Sequence, residues 1–290
     1  MEKRRLIGCL VVKDGLVVQS INFQKYFPVG RPEIAIEFLN GWGIDEIVLL
    51  DIDATAQGRP PDFAMVERVA QKCFVPLTVG GGIHSLEDMR RLIRFGADKI
   101  AINTAAIETP NLIREASAIL GNQCIVISMD VRKNKKGKYE VYRDSGQTPT
   151  ALHPVDFAQR VEKLNAGEIF LTSIERDGSK KGYDLELIRM VSEAVSIPVI
   201  ACGGVGHPKH FVEGFKEGQA MAIAAANYFH FTEHSVTVTK AFLKEHGIEV
   251  RLDSYATYED FDFDETGRIA KRNEKYLEKL RFEYQPKEVI

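Results

Sequence analysis

The sequence predicts an α/β fold, a (β/α)8 barrel of two half-barrel repeats followed by a C-terminal helical extension. Three observations support this: an internal repeat, eight apolar runs that alternate with helical patterns, and a length of 290 residues. Residues 44–83 and 166–205 share one pattern about 122 residues apart. Each copy runs through an apolar strand, a polar loop with glycine, an amphipathic helix and a short strand that ends in a glycine cluster.

The pattern places eight barrel strands, which are predicted near residues 5–12, 46–51, 77–80, 99–103, 125–130, 168–173, 199–203 and 222–226. Most are continuous apolar runs, as expected for parallel strands that are covered on both faces. Helical patterns such as 62–73 lie between them. The long segments 13–31 and 131–152 follow the first and fifth strands, and the second predicts a small hairpin. Such segments lie at the C-terminal face, where barrels carry their active sites.

The barrel is predicted to span residues 1–252, and residues 253–290 form the extension. An acidic linker precedes a helical pattern in which Ile269, Tyr276, Leu277 and Leu280 share one apolar face. Two interpretations stay open: a solvated tail docked on its own barrel, or a contact surface for a partner.

Composition excludes several classes of protein. The net charge is −3 with Lys and Arg dispersed among acids, so nucleic acid is not an expected partner. No apolar run approaches about 18 residues, so we expect no membrane segment and a cytoplasmic location. The four cysteines are far apart without metal-ligand spacing. They predict reduced core thiols, with neither a metal nor another cofactor.

Glycine clusters and small residues follow the third, fourth, seventh and eighth predicted strands. They are Gly80, Gly81, Gly82, Asn103 and Thr104 in the first half, and Gly203, Gly204, Ala225, Ala226 and Asn227 in the second. Glycine lets the backbone approach an anion, and N–H groups at strand ends and helix starts are donors. One cluster alone would fit a tight turn. Two at matching places predict two phosphate sites across the barrel mouth.

Three aspartates follow strands at the same face. Asp51 ends the second strand, Asp130 ends the fifth, and Asp177 lies in the loop after the sixth. Carboxylates in such places are candidate general acids or bases. We predict catalytic roles for Asp130 and Asp51 and phosphate positioning for Asp177, with capping or loop bracing as the alternative.

From Leu6 to about Leu252 the chain resembles the HisF family, the cyclase subunit of imidazole glycerol phosphate synthase. The motifs that match in order are CLVVKDG, DEIVLLDI, TVGGGI, GADKIAINTAA, LTSIERDG, GYD and HGIEVRL. The resemblance implies a TIM barrel that binds a bisphosphorylated substrate. It assigns Gly82, Asn103 and Thr104 to one phosphate, and Asp177, Gly178, Gly204, Ala225 and Ala226 to the other. An apparent insertion at the eighth strand makes Asn227 an alternative there.

The resemblance also implies a glutaminase partner, HisH, on the N-terminal face of the barrel. Four charged residues would form its ammonia gate, and Asp98 would lie at the glutaminase interface. The gate residues are Arg5, Glu46, Lys99 and Glu168. Two positive and two negative charges can pair, which matters because an unpaired buried charge is costly. Ordinary stabilising salt bridges on that face are the alternative.

Two positions depart from the family pattern. The family uses an aspartate pair on the first and fifth strands, but the first of these positions is Val11 here. A lysine on the loop after the first strand is replaced by Gln19. Valine cannot transfer a proton, and glutamine supplies no positive charge. The departures predict a scaffold whose cyclase chemistry has been reassigned.

Residues 9–40 resemble most a HisF-like group called WbuZ in some bacteria. Its members work with a HisH-like glutaminase and an N-acetyl sugar amidotransferase in forming acetamidino groups on surface-polysaccharide sugars. This role is our first interpretation. Two alternatives remain, an authentic cyclase of histidine biosynthesis and a non-catalytic ammonia conduit or scaffold.

Overall fold

The computed structural model describes residues 3–232, 234–252, 254, 258 and 261–270. The strands in that part of the chain are β1 (Arg5–Lys13), β2 (Leu16–Ile21), β3 (Lys25–Gly30), β4 (Glu46–Asp51), β5 (Leu77–Gly80), β6 (Lys99–Ile102), β7 (Ile125–Lys133), β8 (Tyr139–Arg143), β9 (Thr148–Pro149), β10 (Glu168–Ser173), β11 (Val199–Cys202) and β12 (Ala222–Ala225). Eight of them, β1, β4, β5, β6, β7, β10, β11 and β12, pair in parallel and close into a barrel. The predicted TIM barrel is confirmed.

Helices follow the barrel strands on the outside. They are α1 (Pro32–Gly41), α2 (Phe63–Ala70), α3 (Leu86–Arg94), α4 (Thr104–Glu108), α5 (Asn111–Leu120), α6 (Pro154–Lys163), α7 (Leu185–Ser192), α8 (Pro208–Lys216) and α9 (Ser235–Glu245). Their apolar faces form one large core with the outward side chains of the strands. A βα order with parallel pairing places every strand's C-terminal end, and every βα loop, at one face.

The two halves repeat each other in local detail. Asp62 caps α2 and accepts a hydrogen bond from Met65 N at 2.9 Å, and Asp184 caps α7 with one from Leu187 N at 3.2 Å. The backbone angles of the two caps agree within a few degrees, at φ −78°, ψ 83° and φ −81°, ψ 83°. Equal caps begin equivalent helices at the same face, as the sequence repeat predicts.

Inside the barrel, side chains alternate with period two, and those that point inward form a separate apolar cluster. It contains Ile7, Cys9, Val48, Ala101, Val126, Phe170, Ile200, Cys202, Ala222 and Ala224. On β1, β4, β6 and β10 the first residue of the strand also points inward and is charged, so the charges lie at the N-terminal end of the barrel. The interior therefore has a charged end, an apolar middle and a polar mouth.

Both long loops carry additional strands. After β1, the chain turns at Asp14 and Gly15, both with positive φ (50° and 75°), as type I′ hairpin turns require. β2 and β3 then form an antiparallel hairpin, residues 16–30, which was not predicted. After β7, the predicted hairpin is confirmed, with β8 antiparallel to β7.

The extension is described only in part. The predicted helix beyond Ala270 lies outside the described residues, so its outcome and the boundary at 252 stay predictions. Residues 261–270 contact the barrel at the start of α8. Glu265 O lies 3.1 Å from His207 Nε2, and the Phe263 ring lies 5.3 Å from that of Phe242. No helix of the described part is long and apolar enough to cross a membrane.

Candidate functional site

The barrel mouth holds a cavity of about 110 Å³ at the C-terminal face. Its wall includes the predicted residues Asp51, Gly82, Asn103, Thr104, Asp130, Asp177 and Ala226. The structure therefore brings together residues from both halves of the chain. Its wall is mostly apolar with a few convergent polar groups, which is the usual chemistry of a small-molecule site.

The first half-barrel site lies at the ends of β5 and β6. Gly82 N points at Thr55 Oγ1, at 3.4 Å, and Gly82 has a positive φ of 68°. A Cβ there would lie 2.6 Å from Arg59 O, so only glycine fits without movement. Thr104 Oγ1 exchanges hydrogen bonds with Asp144, at 3.2 Å each. In this conformation Asp144 occupies one donor that a phosphate would use.

The second site lies at the ends of β10, β11 and β12 under the β2–β3 hairpin. Asp177 Oδ2 accepts hydrogen bonds from Ser20 Oγ at 2.6 Å and Phe23 N at 3.2 Å. Burial raises the pKa of Asp177, and these bonds oppose the shift. A Cβ on Gly178 would lie 2.7 Å from Ser20 O, and one on Gly204 would lie 2.2 Å from Gly182 O. The predicted glycines are thus needed by the packing of these loops.

The structure resolves the register at the eighth barrel strand. Asn103 and Ala226 have similar backbone angles, φ −112°, ψ −81° and φ −99°, ψ −84°, and each precedes a short helical turn. This makes Thr104 and Asn227 equivalent. Ala225 packs in the outer core, so its side chain does not reach the mouth, whereas Ala226 lines the cavity. Asn227 instead binds the hairpin backbone, through Ser20 N (3.1 Å) and Ser20 O (2.6 Å).

Asp130, like Asp177, is a buried carboxylate of the mouth that forms no salt bridge with the described residues. Its Oδ2 has a weak contact, at 3.4 Å, with the Nδ2 amide of Asn103. Burial, and then the Asp177 carboxylate, raise the pKa of Asp130 to about 7. A carboxyl group with this pKa can both give and take a proton near neutral pH. The geometry thus suits the predicted acid or base role.

Folding stability should depend on pH through Asp130. The unfolded carboxyl ionises near its ordinary pKa of 3.8, whereas the folded one ionises at about 7. The folded state therefore binds more protons between these values, and its free energy of unfolding falls as the pH rises through that window. Asp130→Asn removes the buried charge, so its stability relative to wild type should rise from about pH 4 to about pH 7 and then level off. Urea unfolding across the range measures this, with the exposed Asp156→Asn as control. A pH-independent difference would contradict it.

Asp51 has a different environment from Asp130. Both of its oxygens accept hydrogen bonds from Arg59, at 2.8 and 2.9 Å, and Oδ1 also accepts one from Asp53 N. This fork-to-fork pair ties β4 to the following loop. The contacts match the loop-bracing alternative, and the catalytic role of Asp51 stays a prediction.

Val11 lies where the resemblance places the first acid. Its side chain lines the same cavity as Asp130 and packs against the inner apolar cluster. Gln19 lies on β2 of the hairpin, is half-buried and pairs with Phe27 on β3. The mouth therefore has a carboxylate on the fifth barrel strand and an apolar side chain on the first.

The four predicted gate residues form a closed ring at the opposite end of the barrel. Arg5 Nη1 lies 2.7 Å from Glu46 and 2.9 Å from Glu168, and Lys99 Nζ lies 3.1 and 3.0 Å from the same two residues. Each charge thus has two partners of opposite sign. Pairing of this kind is needed because the side chains of the two glutamates are only 8% and 11% exposed.

Asp98 lies beside this ring and is exposed. Its Oδ2 accepts a hydrogen bond from Leu77 N at 2.8 Å. Asp45 makes the equivalent bond to Leu6 N, also at 2.8 Å. Asp98 therefore joins β5 to β6, and the interface role predicted for it is not decided by this contact.

Three features of the site were missed from the sequence. Ser20 and Tyr26 reach the mouth because the β2–β3 hairpin folds over it, and no local pattern predicted that fold. Thr55 could have been found, because the 122-residue repeat pairs it with Asp177. The pairing of Arg59 with Asp51 depends on a loop conformation that the sequence does not specify.

Fold and site together define a TIM barrel of two repeated halves with a cavity at the mouth that residues of both halves line. The family model described as "Histidine biosynthesis protein" matches residues 5–235, and the chain belongs to that family. A Vibrio vulnificus (strain YJ016) protein named "Putative imidazole glycerol phosphate synthase subunit hisF2" is 46% identical over 269 residues. The match covers 92% of this chain and 98% of that protein. The predicted resemblance to the HisF family is confirmed.

Proposed function

We propose that the protein is the synthase subunit of a glutamine-dependent complex. It receives ammonia from a HisH-like glutaminase at the charged ring and delivers it to a phosphorylated substrate in the mouth. Two arrangements at opposite ends of one barrel support this: a neutral ring of four paired charges, and a cavity lined by Gly81 and Gly82 of the first half and by Asp177 and Ala226 of the second. Backbone N–H groups of glycine loops suit phosphate groups.

The barrel interior between these ends fits passage of a small neutral molecule. Above the ring the lining is apolar, with small side chains at Ala101, Ala222 and Ala224. Neutral ammonia crosses such a layer at low cost, whereas ammonium would lose its hydration without a counter-charge. Passage requires the ring to open, because each of its four ion pairs has a nitrogen–oxygen distance of 3.1 Å or less.

The chemistry at the mouth is reassigned in this proposal. The main observation in support of reassignment is Val11, whose apolar side chain lines the cavity where the HisF family has the first of two acids. The protein then serves amidation of an N-acetylated sugar for surface polysaccharide, as in the WbuZ-type group. An N-acetyl sugar amidotransferase completes the acetamidino group: the delivered ammonia bonds to the amide carbon, and the amide oxygen leaves on a phosphate that a nucleoside triphosphate co-substrate of that enzyme provides.

An authentic cyclase of histidine biosynthesis is the second candidate. The name of the 46% identical relative and the presence of glycines at both sites favour it. A conduit without chemistry is the third, and it predicts that the mouth residues are dispensable.

Isotope transfer tests the first candidate. Glutamine labelled with ¹⁵N in its side-chain amide is supplied to the barrel, the glutaminase and the amidotransferase together with an N-acetylated sugar substrate. The proposal expects the label in the acetamidino nitrogen only when the barrel is present. Equal label transfer without the barrel would contradict it, as would labelled imidazole glycerol phosphate from the HisF substrate.

The glycine sites provide a further prediction. Gly82→Val adds a side chain whose Cβ would lie within 2.8 Å of both Arg59 O and Ala54 Cβ, so the loop must move away from the anion position. We expect phosphate-ligand affinity to fall at least about tenfold, the loss of one charge-assisted contact. The control is Gly58→Val, which also has positive φ (61°) but nothing within 4 Å of its Cβ. Calorimetry with a sugar phosphate measures both. Equal affinity of the two variants would show that the loop is not a phosphate site.

A further inference from the structure

Tyr26 is a polar side chain that the β2–β3 hairpin contributes to the mouth. Most residues of β3 are exposed, but Tyr26 is half-buried and lines the cavity with Asp130 and Asp177. Its cross-strand partner is Ser20, which lines the cavity as well and donates to Asp177. Paired residues on one face of a hairpin point the same way, so the hairpin presents both hydroxyl groups to the ligand space.

Tyr26 and Val11 line the same cavity. Lys13 Nζ is 5.9 Å from the centre of the Tyr26 ring. Lys13 lies two residues beyond Val11 on β1, so the two side chains share one face of the strand. The phenol therefore borders the same ligand space as Val11, the position at which the HisF family has a carboxylate and this chain has an isopropyl group.

The protonation state of Tyr26 makes it a donor. Burial, and then the carboxylates of Asp177, Asp53 and Asp130, raise its pKa to about 12. The hydroxyl keeps its proton at neutral pH and can donate a hydrogen bond. Within the described residues this hydroxyl makes no hydrogen bond to protein, so it is available to a ligand.

We propose that Tyr26 contacts the substrate and donates a hydrogen bond from its hydroxyl group to the oxygen of an uncharged amide. The inference rests on the proposed function for the phosphorylated ligand, whose phosphate the glycine loops hold. An acetamido group fits the local chemistry, because its methyl can pack on Val11 while its oxygen accepts from Tyr26. Asp130, in the same cavity, is left for proton transfer.

The test compares two probes that differ in the acetamido group, N-acetylglucosamine 1-phosphate and glucose 1-phosphate. Tyr26→Phe removes the hydroxyl alone and should weaken binding of the first probe about three- to tenfold, the worth of one hydrogen bond. Binding of the second probe should not change. Tyr142→Phe, which alters a tyrosine of β8 outside the cavity wall, is the control. Equal affinity of Tyr26→Phe and wild type for the first probe overturns the inference.

The bisphosphorylated HisF substrate separates this inference from the proposed function. If wild type binds that substrate but not the acetamido probe, the proposal of sugar amidation fails. The affinities of wild type and Tyr26→Phe for the HisF substrate then decide the role of Tyr26. A loss specific to Tyr26→Phe then supports the contact, and no loss overturns it. If wild type binds neither ligand, both proposals fail. Thermal unfolding of each variant shows whether it has folded.

Discussion

Val11→Asp should give the protein cyclase activity that we expect the wild type to lack. Wild type, with a single acid in the pair, is expected to turn over the HisF substrate with ammonium salts well below the usual range of about 1–10³ s⁻¹. General acid–base catalysis is typically worth about 10²- to 10⁴-fold, so we expect Val11→Asp to raise the rate by at least about 10²-fold. The new carboxylate would face the same cavity as Asp130, and the two would titrate as a coupled pair. Steady-state rates over a pH series measure both effects.

The matched control is Val11→Asn. It has the size and polarity of the aspartate but cannot exchange a proton at neutral pH. It also reports how much stability a polar group costs at this half-buried site, which is lined by apolar neighbours. Equal rates for Val11→Asp and Val11→Asn would mean that the gain in activity does not come from proton transfer at this position. Wild-type turnover within the normal enzyme range would remove the reassignment altogether.

The barrel could be predicted from the sequence because its signals are local and repeated. Each parallel strand is covered on both faces, so it reads as an apolar run, and the Asp62 and Asp184 caps mark equivalent helices in the two halves. The charged ring was predicted through the family resemblance, since Arg5 and Glu168 are far apart in the chain. Its closed geometry follows from the register of the strands.

The mouth could be predicted less completely, for physical reasons. Its polar groups compete for partners, and the outcome depends on loop conformations. Asp51 and Asp130 both end barrel strands, yet Arg59 pairs with the first, whereas the second is buried and forms no salt bridge within the part of the chain that the structure describes. Tyr26 reaches the cavity only because Ser20 and Asn227 hold the hairpin over the second site. These contacts span up to 207 residues of chain, beyond the reach of periodicity.

The ring gives the second large prediction, through Lys99→Met. This change leaves Glu46 and Glu168 with Arg5 as the one remaining cation of the ring. Removing one partner of a buried charged group leaves uncompensated charge, and we expect a loss of roughly 3 kcal/mol in the free energy of unfolding. Lys72→Met is the surface control, because its pair with Glu37 spans 3.9 Å between side chains that are 52% and 67% exposed. An exposed pair of this kind is worth at most about 1 kcal/mol.

A gating role of the ring can be distinguished from a stabilising role with a second variant and with the ratio of glutamine-driven to ammonium-driven activity. The double variant Lys99→Met, Glu168→Gln leaves one cation, Arg5, paired with one anion, Glu46. The ring is then neutral again, so the variant should regain part of the lost stability. It still lacks the closed ring, so ammonia from the glutaminase should not be coupled to the mouth. The reaction measured is the proposed amidation of the N-acetylated sugar, driven either by glutamine or by ammonium salts. We expect both variants to keep the ammonium-driven rate. The ratio of the glutamine-driven to the ammonium-driven rate should fall at least about tenfold, a coupling of about 1.4 kcal/mol. If the double variant recovers stability and the ratio together, the four charges are stabilising salt bridges and ammonia enters by another route.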